Sequence, residues 1–328
     1  MNHVVRAGLA AIACLAALFG ASVHPAAAQN YPNHPITMIV PYPAGGGVDA
    51  MGRIVGQKLS EALGQQVVIE NRGGAGGMIG TRDAAKSPPD GYTLCMGPIG
   101  ALAITRHLVA NLPYVIERDF QPIGVVAKGH LLLAVSPTTP FQNVTELVAY
   151  AKQNPGKLSN ASSSNGSPGH VGGELFKFMT GTDIVHVPYK GGAPAINDLI
   201  AGRVQLMFES LNSIAPFARS GAVRALAVSG DRRSPAFPDL PTIAEAGVPG
   251  YSAPTWSGVI APAGVPRPIV DKLNAAINRA IQSAAFKDHF ASIGDEPAGG
   301  TPEEFAALIA SDSAKWGEVI KRAGIKFE

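Results

Sequence analysis

The sequence contains very little cysteine, and this limits the ways in which the fold can be stabilised. Only two of its 328 residues are cysteine. Cys14 lies in an apolar N-terminal run, so Cys95 is left alone in the rest of the chain and no internal disulfide is expected. A chain of this length can fold on its hydrophobic core alone, and its length favours two domains. A small disulfide-stabilised scaffold is therefore excluded.

Charge of either sign is also scarce. The sequence has 26 basic and 24 acidic residues, and it contains no run of Lys and Arg. Proteins that bind nucleic acid or anionic membranes usually carry a basic patch or tract. After the N-terminal run, no apolar segment reaches the ~20 residues that a membrane-spanning helix needs. We therefore expect no nucleic-acid partner and no transmembrane helix.

The motifs of common metal and catalytic sites are missing as well. The histidines show no H-x-x-x-H spacing and no cysteine partner, so we predict no metal site. There is no G-x-x-x-x-G-K-[ST] phosphate loop and no G-x-S-x-G elbow, and we predict no cofactor. Ser163, Ser164 and Ser167 lie near His170, but Gly166–Gly169 is typical of the start of a helix. His170 is therefore interpreted as a residue of the first helical turn and not as a general base.

The first 28 residues have the pattern of a secretory signal. Arg6 precedes an apolar run from Ala7 to Ala21, and Ala26-Ala27-Ala28 stands before Gln29. A basic start, an apolar stretch of roughly 7–15 residues and an A-x-A end predict cleavage, here after Ala28. Cys14 lies inside the apolar run, so lipid attachment is not expected, and a twin-arginine pair is absent. The sequence predicts a periplasmic protein.

Beyond the signal, strands alternate with helices, which predicts an α/β fold with largely parallel sheets. The alternation breaks where the apolar runs Pro122–Val126 and Leu131–Val135 follow each other without a helix. We interpret this as a crossing into a second lobe, with a return near residue 228. The predicted organisation is a signal peptide at 1–28, a first lobe at 29–126 and 229–328, and a second lobe at 127–228. Two crossovers suit hinge closure around a ligand.

Four loops rich in glycine or serine connect predicted strands to predicted helices. They are residues 41–47, 71–77, 162–169 and 189–192. At a helix N-terminus the first amides lack partners and the helix dipole favours an anion. Glycine lets the backbone come close to a ligand, and open α/β sheets bind ligands beyond the carboxyl ends of their strands. The loops predict an anion-binding cleft between the lobes.

The charge content of the loops indicates which anion. They contain Arg72 and Lys190 but no arginine pair, which a phosphate site would normally show. A carboxylate held by backbone amides, hydroxyls and water fits better. Asp49, in the first turn of the first helix, either caps that helix or reaches the ligand. The sequence leaves both roles open.

Several segments together resemble the Bug/TctC family, the periplasmic solute receptors of tripartite tricarboxylate transporters. In chain order they are Ile39–Gly46 with Asp49, Glu70–Arg72 with Gly74–Gly77 and Gly80, Gly166-Ser167 with His170, His186–Gly191 with Ala193–Ala195, Pro238–Thr242 with Glu245 and Gly247, and Trp256 with Gly258. The resemblance covers essentially the whole mature chain. It implies a two-lobed periplasmic binding protein (Venus flytrap). It also implies a carboxylate held between the lobes, often through bridging water, by the first two loops and the Gly-Ser loop, and delivery to membrane transporter subunits.

The loops and the resemblance together give the candidate ligand-binding residues. They are Tyr42, Ala44, Gly45, Gly46, Asp49, Gly76, Gly77, Pro98, Ile99, Ser164, Asn165, Gly166, Ser167, His170, Tyr189 and Glu209. The expected ligand is a small mono-, di- or tricarboxylate, aromatic acids included, bound by a monomer. Two positions depart from the family pattern: Gly97–Gly100, where Pro98 and Ile99 give a more apolar wall, and Glu209, where relatives often have Asp. Whether Glu209 contacts the ligand or only packs stays open.

An exported NAD-dependent oxidoreductase is the alternative interpretation. Gly45-x-Gly47-x-x-Ala50 matches the dinucleotide motif G-x-G-x-x-A, and Glu70 stands where a ribose-binding acid belongs. However, Pro41 and Pro43 separate the strand from the glycines, whereas the motif needs an immediate tight turn. The periplasm also supplies little nicotinamide cofactor. We therefore favour a receptor without enzyme activity.

Overall fold

A computed structural model of the protein describes residues 31–45 and 47–325. The strands are β1 Ile36–Val40, β2 Val67–Asn71, β3 Thr93–Pro98, β4 Phe120–Gly129, β5 Leu131–Val135, β6 Leu158–Ser162, β7 Ile184–Pro188, β8 Leu206–Ser210, β9 Arg224–Val228, β10 Thr255–Pro262 and β11 Glu296–Pro297. The helices are α1 Gly47–Leu63, α2 Met78–Ala85, α3 Thr105–Leu108, α4 Ile116–Asp119, α5 Val144–Gln153, α6 Pro168–Thr180, α7 Gly192–Ile200, α8 Leu211–Arg219, α9 Arg267–Gln282, α10 Ala284–Ile293 and α11 Pro302–Ala323. A 3-10 turn at Ala75–Gly77 precedes α2, and a π turn at Gly100–Ile104 precedes α3. The predicted signal peptide lies outside the described residues.

The described strands form two mixed sheets. The first has the order β11-β4-β10-β3-β1-β2, and the second has the order β7-β6-β8-β5-β9. Within them β1 pairs in parallel with β2 and β3, and β6 pairs in parallel with β7 and β8. The other pairs are antiparallel. The expectation of largely parallel sheets was wrong in this respect, because β4, β5, β9 and β10 carry the chain between the sheets without the helical crossover that parallel neighbours require.

Apolar side chains at helical spacing hold the first helix against its sheet. In α1 the buried residues Met51, Val55 and Leu59 belong to the same core cluster as Met38 and Val40 of β1. Ile269 and Leu273 of α9 join this cluster from the neighbouring helix. Burying one such side chain stabilises the fold by roughly 1.5–3 kcal/mol. This packing fixes the N-terminus of α1 beside the carboxyl end of β1.

A capping box starts the last helix, as the segment Thr301-Pro302-Glu303-Glu304 predicts. The Thr301 hydroxyl accepts a hydrogen bond from the Glu304 amide at 3.1 Å, and the Glu304 carboxylate accepts one from the Thr301 amide at 2.8 Å. From there α11 packs on β4 and on the π turn of the first sheet, and it also contacts α6 on the second. The last helix therefore connects the two halves of the molecule.

The hydrophobic core is continuous between the sheets. One cluster of buried side chains contains Ile39 and Cys95 from the first sheet together with Leu131 and Phe208 from the second. Two further clusters each belong to one half of the molecule. Tyr251, which lies between β9 and β10, joins the shared cluster with its ring centroid 6.4 Å from that of Phe208. The two lobes therefore share part of one core.

The chain passes from the first sheet to the second at a single residue. His130 alone separates the end of β4 from the start of β5. Beside it, the Leu131 amide donates to the Ser229 hydroxyl at 2.8 Å, and this hydroxyl donates to the Ala253 carbonyl at 2.6 Å. The buried Ser229 therefore ties β5 to both ends of the returning segment 229–254. The two crossings expected from the sequence lie side by side.

Candidate functional site

A cleft of about 890 Å³ lies between the two sheets. Its lining comes mainly from the loops at the carboxyl ends of β1, β2, β3, β6, β7 and β8. The predicted ligand-binding residues that line it are Tyr42, Ala44, Gly45, Gly76, Gly77, Pro98, Ile99, Ser164, Asn165, Ser167, Tyr189 and Glu209. Asp49, Gly166 and His170 are outside this lining, and Gly46 is outside the described residues. All four predicted loops meet at one cleft.

Asp49 holds the first loop in place. Its carboxylate accepts hydrogen bonds from the Gly45 amide at 2.8 Å, the Asn71 side-chain amide at 2.9 Å and the Arg53 guanidinium at 3.1 Å. Burial alone would raise the pKa of Asp49, but the hydrogen bonds from Arg53, Gly45 and Asn71 outweigh it and lower the pKa. Both oxygens are occupied, so the structure gives Asp49 a positioning role, between α1, β2 and the loop. A direct ligand contact by Asp49 finds no support in this geometry.

The second loop is shaped by backbone conformations that favour glycine. Gly76 has a φ of 66° and Gly77 a φ of 94°. A side chain on Gly77 would place its Cβ 3.2 Å from the Tyr42 ring, whose hydroxyl donates to the Gly76 carbonyl at 3.1 Å. Ala75 also has a positive φ, of 49°, and lines the cleft. Such conformations persist only where the surroundings impose them, and they cluster at functional sites.

Two stacked histidines support the Gly-Ser loop from below. The rings of His170 and His186 are 3.9 Å apart and nearly parallel. The Gly166 amide donates to Nδ1 of His170 at 3.1 Å, and the His170 amide donates to the Ser167 hydroxyl at 3.2 Å. Burial lowers the pKa of His170 to about 3 and that of His186 to about 4, so both are neutral near pH 7. Gly166 and His170 therefore shape the loop, while Ser167 faces the cleft.

Hydroxyl groups are available on the same loop. The Ser167 hydroxyl accepts from His170, which leaves its own hydrogen to donate to a ligand. The buried hydroxyl of Ser164 has no hydrogen-bond partner among the described residues. A buried polar group without a partner is costly, so a bound ligand or water would stabilise this loop.

Positive charge stays at the edge of the cleft. Lys190 and Lys128 line the cleft, but both residues are exposed. Arg72 is outside the lining, and its guanidinium pairs with Glu70 at 2.6 Å. An ion-pair pocket built on Lys190 and Arg72 is therefore not formed by the described residues. Backbone amides and hydroxyls remain as the principal donors inside the cleft.

An apolar wall faces these donors. Pro98 and Ile99, at the end of β3, line the cleft together with Trp256 of β10. Trp256 is only 4% exposed, packs edge-on against Phe305 and donates from its indole nitrogen to Asp312 at 2.5 Å. The ring is therefore core on one side and cleft wall on the other.

Three further properties bear on the kind of site. In the part of the chain that the structure describes, no group of three or more His, Cys, Asp or Glu side chains is placed to hold a metal ion. Among the helices of residues 31–45 and 47–325, none is long and apolar enough to cross a membrane. Cys95 is buried, and burial raises the pKa of its thiol to about 12, so it is poorly reactive.

Comparison with known proteins assigns the family. Residues 51–325 match the sequence model of the tripartite tricarboxylate transporter family receptor, TctC. The chain belongs to this receptor family. Among curated proteins, it is 40% identical over 305 residues to Protein BugT of Bordetella pertussis, covering 93% of this chain and 94% of BugT. The Bug/TctC resemblance of the sequence is confirmed.

Solved structures of receptors agree with this assignment. The chain is similar to R. palustris Rpa4515, solved with adipate, with a TM-score of 0.88 and 40% identity over 90% of this chain and 99% of that one. It is also similar to MatC (Rpa3494) from Rhodopseudomonas palustris, with bound malate, with a TM-score of 0.84 and 31% identity over 88% of this chain and 100% of that one. The prediction of a two-lobed α/β periplasmic binding protein is confirmed.

The receptor cleft also contains residues that the sequence did not reveal. Asp295, just before β11, is 6% exposed and accepts a hydrogen bond at 2.9 Å from the side chain of Asn212 in the first turn of α8. This bond joins the two halves of the receptor across the cleft. Other lining residues that were not predicted include Lys128, Ser163, Ser210, Ser213 and Thr255. The signal that could have located Asp295 is Gly294, the left-handed glycine that ends α10.

The carboxyl of Glu209 lies inside the receptor cleft. It is 7% exposed, and its Oε1 accepts a hydrogen bond from the Ser210 amide at 2.9 Å. Burial raises the pKa of Glu209 to about 7, against the opposing effect of this hydrogen bond. Burial likewise raises the pKa of Asp295 to about 7, against the hydrogen bond from Asn212. Among the described residues, neither carboxyl forms an ion pair.

The structure does not support the alternative interpretation as an oxidoreductase. Residues 41–46 separate β1 from α1, so the tight turn of a dinucleotide motif is not formed. Glu70, the candidate ribose-binding acid, pairs with Arg72 and does not line the cleft. The family assignment points to solute binding instead.

Proposed function

We propose that this protein is a periplasmic receptor that binds a small organic carboxylate between its lobes and delivers it to the membrane subunits of a tripartite tricarboxylate-type transporter. The observation that carries the proposal is the convergence of four glycine- and serine-rich loops on one cleft. Two similar receptors were solved with adipate and with malate, which supports a small carboxylate as the class of ligand.

The carboxylate would be held by donors that are not basic side chains. The 3-10 turn at Ala75–Gly77 presents the amides at its start, which lack partners within the turn. Ser167 contributes a hydroxyl hydrogen from the opposite side of the cleft, and Ser164 a second one. Tyr42 and Tyr189 would close the sides, since both line the cleft. Water would bridge the remaining distance, as it does where polar groups and a ligand do not meet directly.

The proposed lobes are 29–126 with 229–328, and 127–228. The first sheet takes its described strands from residues 36–129 and 255–297, and the second takes them from 131–228, which supports this division except that residues 127–129 belong to the first sheet. Closure would bring the Gly-Ser loop towards the second loop around the bound acid. The segment 229–254 is counted with the first lobe in this division, yet it also contacts the second lobe, because Tyr251 packs on Phe208 and donates to the Gly172 carbonyl at 2.9 Å.

The proposed receptor is a monomer, has no enzyme activity and begins at Gln29 after cleavage of the signal peptide. Intact-mass measurement of the protein from a periplasmic extract should give the mass of the chain from Gln29 onwards. A retained N-terminus, or a lipid on Cys14, would contradict the proposed export. Light scattering during gel filtration would test the monomer.

A thermal-shift screen of organic acids tests the proposed function. A cognate acid at about a hundred times its Kd should add ~2.7 kcal/mol to the free energy of unfolding and raise the melting temperature by several degrees. The same acid should reduce the radius of gyration in solution scattering, because the lobes close. NAD is the control and should do neither. Stabilisation by NAD with no response to any organic acid would refute the proposed receptor function.

A further inference from the structure

The cleft contains two buried carboxyls whose hydrogen-bonding capacity is only partly used. Oε1 of Glu209 accepts from the Ser210 amide, while Oε2 has no hydrogen-bond partner among the described residues. In Asp295, Oδ2 accepts from Asn212, and Oδ1 lies beside the backbone of Gly129. Each carboxyl therefore has an oxygen to offer, and a buried carboxyl is costly unless a donor reaches it.

No cation offsets these carboxyls within the described structure. The charged neighbour that affects Asp295 is Glu296, which is itself acidic and pairs with Arg232. Glu209 has no charged neighbour that shifts its titration. The lysines of the lining, Lys128 and Lys190, are exposed and form no ion pair with either carboxyl. His130, close to the crossing, is buried, and burial lowers its pKa, so it is uncharged near pH 7.

The strand order places Asp295 at the opposite edge of the first sheet from the second loop, whose amides would hold the anion. In the second sheet β8, which ends with Glu209 and Ser210, lies between β6 and the crossing strand β5, whereas the glycine- and serine-rich loops follow β6 and β7. In the first sheet these loops follow β1 and β2, while Asp295 precedes β11, which pairs with the crossing strand β4. The amides of the second loop therefore lie away from the crossing, and the carboxyl side of the cleft runs from Asp295 beside the crossing to Glu209, whose Oε2 lies near Gly192 of the fourth loop.

A ligand that spans the cleft meets a different chemistry at each end. At the carboxyl side a second carboxylate would face two buried acidic groups without a cation, and like charges at short range repel strongly where water is excluded. A hydrogen-bond donor would instead use the unoccupied oxygens, and a cationic donor would do so most strongly. We infer that this side of the cleft selects ligands with a donor group, best an ammonium, at the end opposite the bound carboxylate, and discriminates against dicarboxylates. This inference depends on the proposed function.

Three probes with six-carbon chains test the inference: 6-aminohexanoate, hexanoate and adipate. We expect calorimetric titration of the mature protein at pH 8 to show 6-aminohexanoate binding at least tenfold more tightly than adipate, with hexanoate between them. Raising the pH from 6 to 8 should strengthen the binding of 6-aminohexanoate, because Glu209 and Asp295 lose their protons and can then pair with the ammonium. The binding of adipate should weaken over the same pH range, since its second carboxylate can approach Glu209 or Asp295 only when that carboxyl is protonated.

Isosteric variants locate the effect. Glu209→Gln and Asp295→Asn keep the shape of the side chains and replace an acceptor with a donor, so each should lower the preference for 6-aminohexanoate over adipate at least threefold. Glu318→Gln, which removes an exposed carboxylate paired with Arg322 outside the cleft, is the matched control and should leave the preference unchanged. A cooperative melting curve for each variant would show that it folds.

The outcomes separate the two proposals. If adipate binds the wild type more tightly than 6-aminohexanoate, or if both isosteric variants keep the wild-type preference, the inferred selectivity is wrong while the carboxylate receptor stands. If none of the three probes and no other organic acid binds, the proposed function fails and the inference fails with it.

Discussion

Replacing Glu209 with Gln should flatten the pH dependence of stability of the ligand-free protein. The folded state holds the Glu209 proton more tightly than the unfolded state does, because burial raises its pKa from 4.5 to about 7. The stabilisation from this proton is fully present below pH 4.5 and is lost as the pH rises through about 7. Stability should therefore fall between pH 5 and pH 8 in the wild type. Gln cannot ionise, so the variant should lose this part of the slope.

The size of the effect follows from the same values. A tenfold change in proton affinity corresponds to 1.36 kcal/mol, so the shift at Glu209 amounts to about 3 kcal/mol between the two protonation states. Only 7% of the surface of Glu209 is exposed, so solvent screening removes little of this energy. This energy corresponds to a change in melting temperature on the order of 5 °C for a chain of this size. Asp295 titrates in the same range and should leave a residual slope in the variant.

Urea unfolding at pH 5 and pH 8, without ligand, would measure the slope. We expect the difference in unfolding free energy between the two pH values to be about 3 kcal/mol smaller in Glu209→Gln than in the wild type. The exposed control, Glu318→Gln, should behave as the wild type does. Equal slopes in all three proteins would refute the claim that Glu209 is buried without compensation.

Four other variants, with Gly181→Ala as a control, test the loops. Gly77→Ala should weaken ligand binding at least tenfold in calorimetry, because Gly77 has a φ of 94° and the new Cβ would press on the Tyr42 ring. The control Gly181→Ala should only reduce stability, because Gly181 has a φ of 62° but open space around it. Ser167→Ala should cost about 1.5–3 kcal/mol of binding free energy, and Lys190→Met should cost less because Lys190 is exposed; the reverse ranking would favour an ion-pair pocket. Asp49→Ala should lower the unfolding free energy by about 1–3 kcal/mol in urea melts, since it leaves the donors of the first loop without an acceptor; an unchanged midpoint would rule out the positioning role.

The sequence predicted the loops well because their signals are local. Glycine and serine after an apolar strand mark both the turn and the helix that follows, as at Ser167, which caps α6. The start of α11 could be placed because Thr301, Pro302 and Glu304 form a capping box within a few residues. Such patterns depend on neighbours in the chain and not on the rest of the fold.

The parts that were missed depend on distant partners. No strand was predicted in the Pro-rich segments after Ser229, yet Thr255–Pro262 forms β10, because β3 and β4 lie on either side of it and pair with its backbone. The helix α10 was missed, because the sequence predicted a helix from about Pro268 to Ala284 and no other before Thr301, whereas Ser283 accepts a hydrogen bond from the Phe286 amide and starts a new helix. Without α10, nothing in the sequence placed Asp295 opposite Asn212. The stacking of His170 on His186 likewise joins a helix to a strand that only folding brings together.

The single-residue crossing at His130 limits the kinds of motion open to the receptor. Because hydrogen-bonded strands begin on both sides of His130 and Ser229 ties the returning segment beside it, the lobes can pivot there but cannot slide past each other. A pivot at the crossing narrows the cleft most at its open end and least beside the crossing. Ligand length is thereby converted into an opening angle. A transporter that docks on both lobes would recognise that angle, and so would distinguish an empty or wrongly filled receptor without touching the ligand.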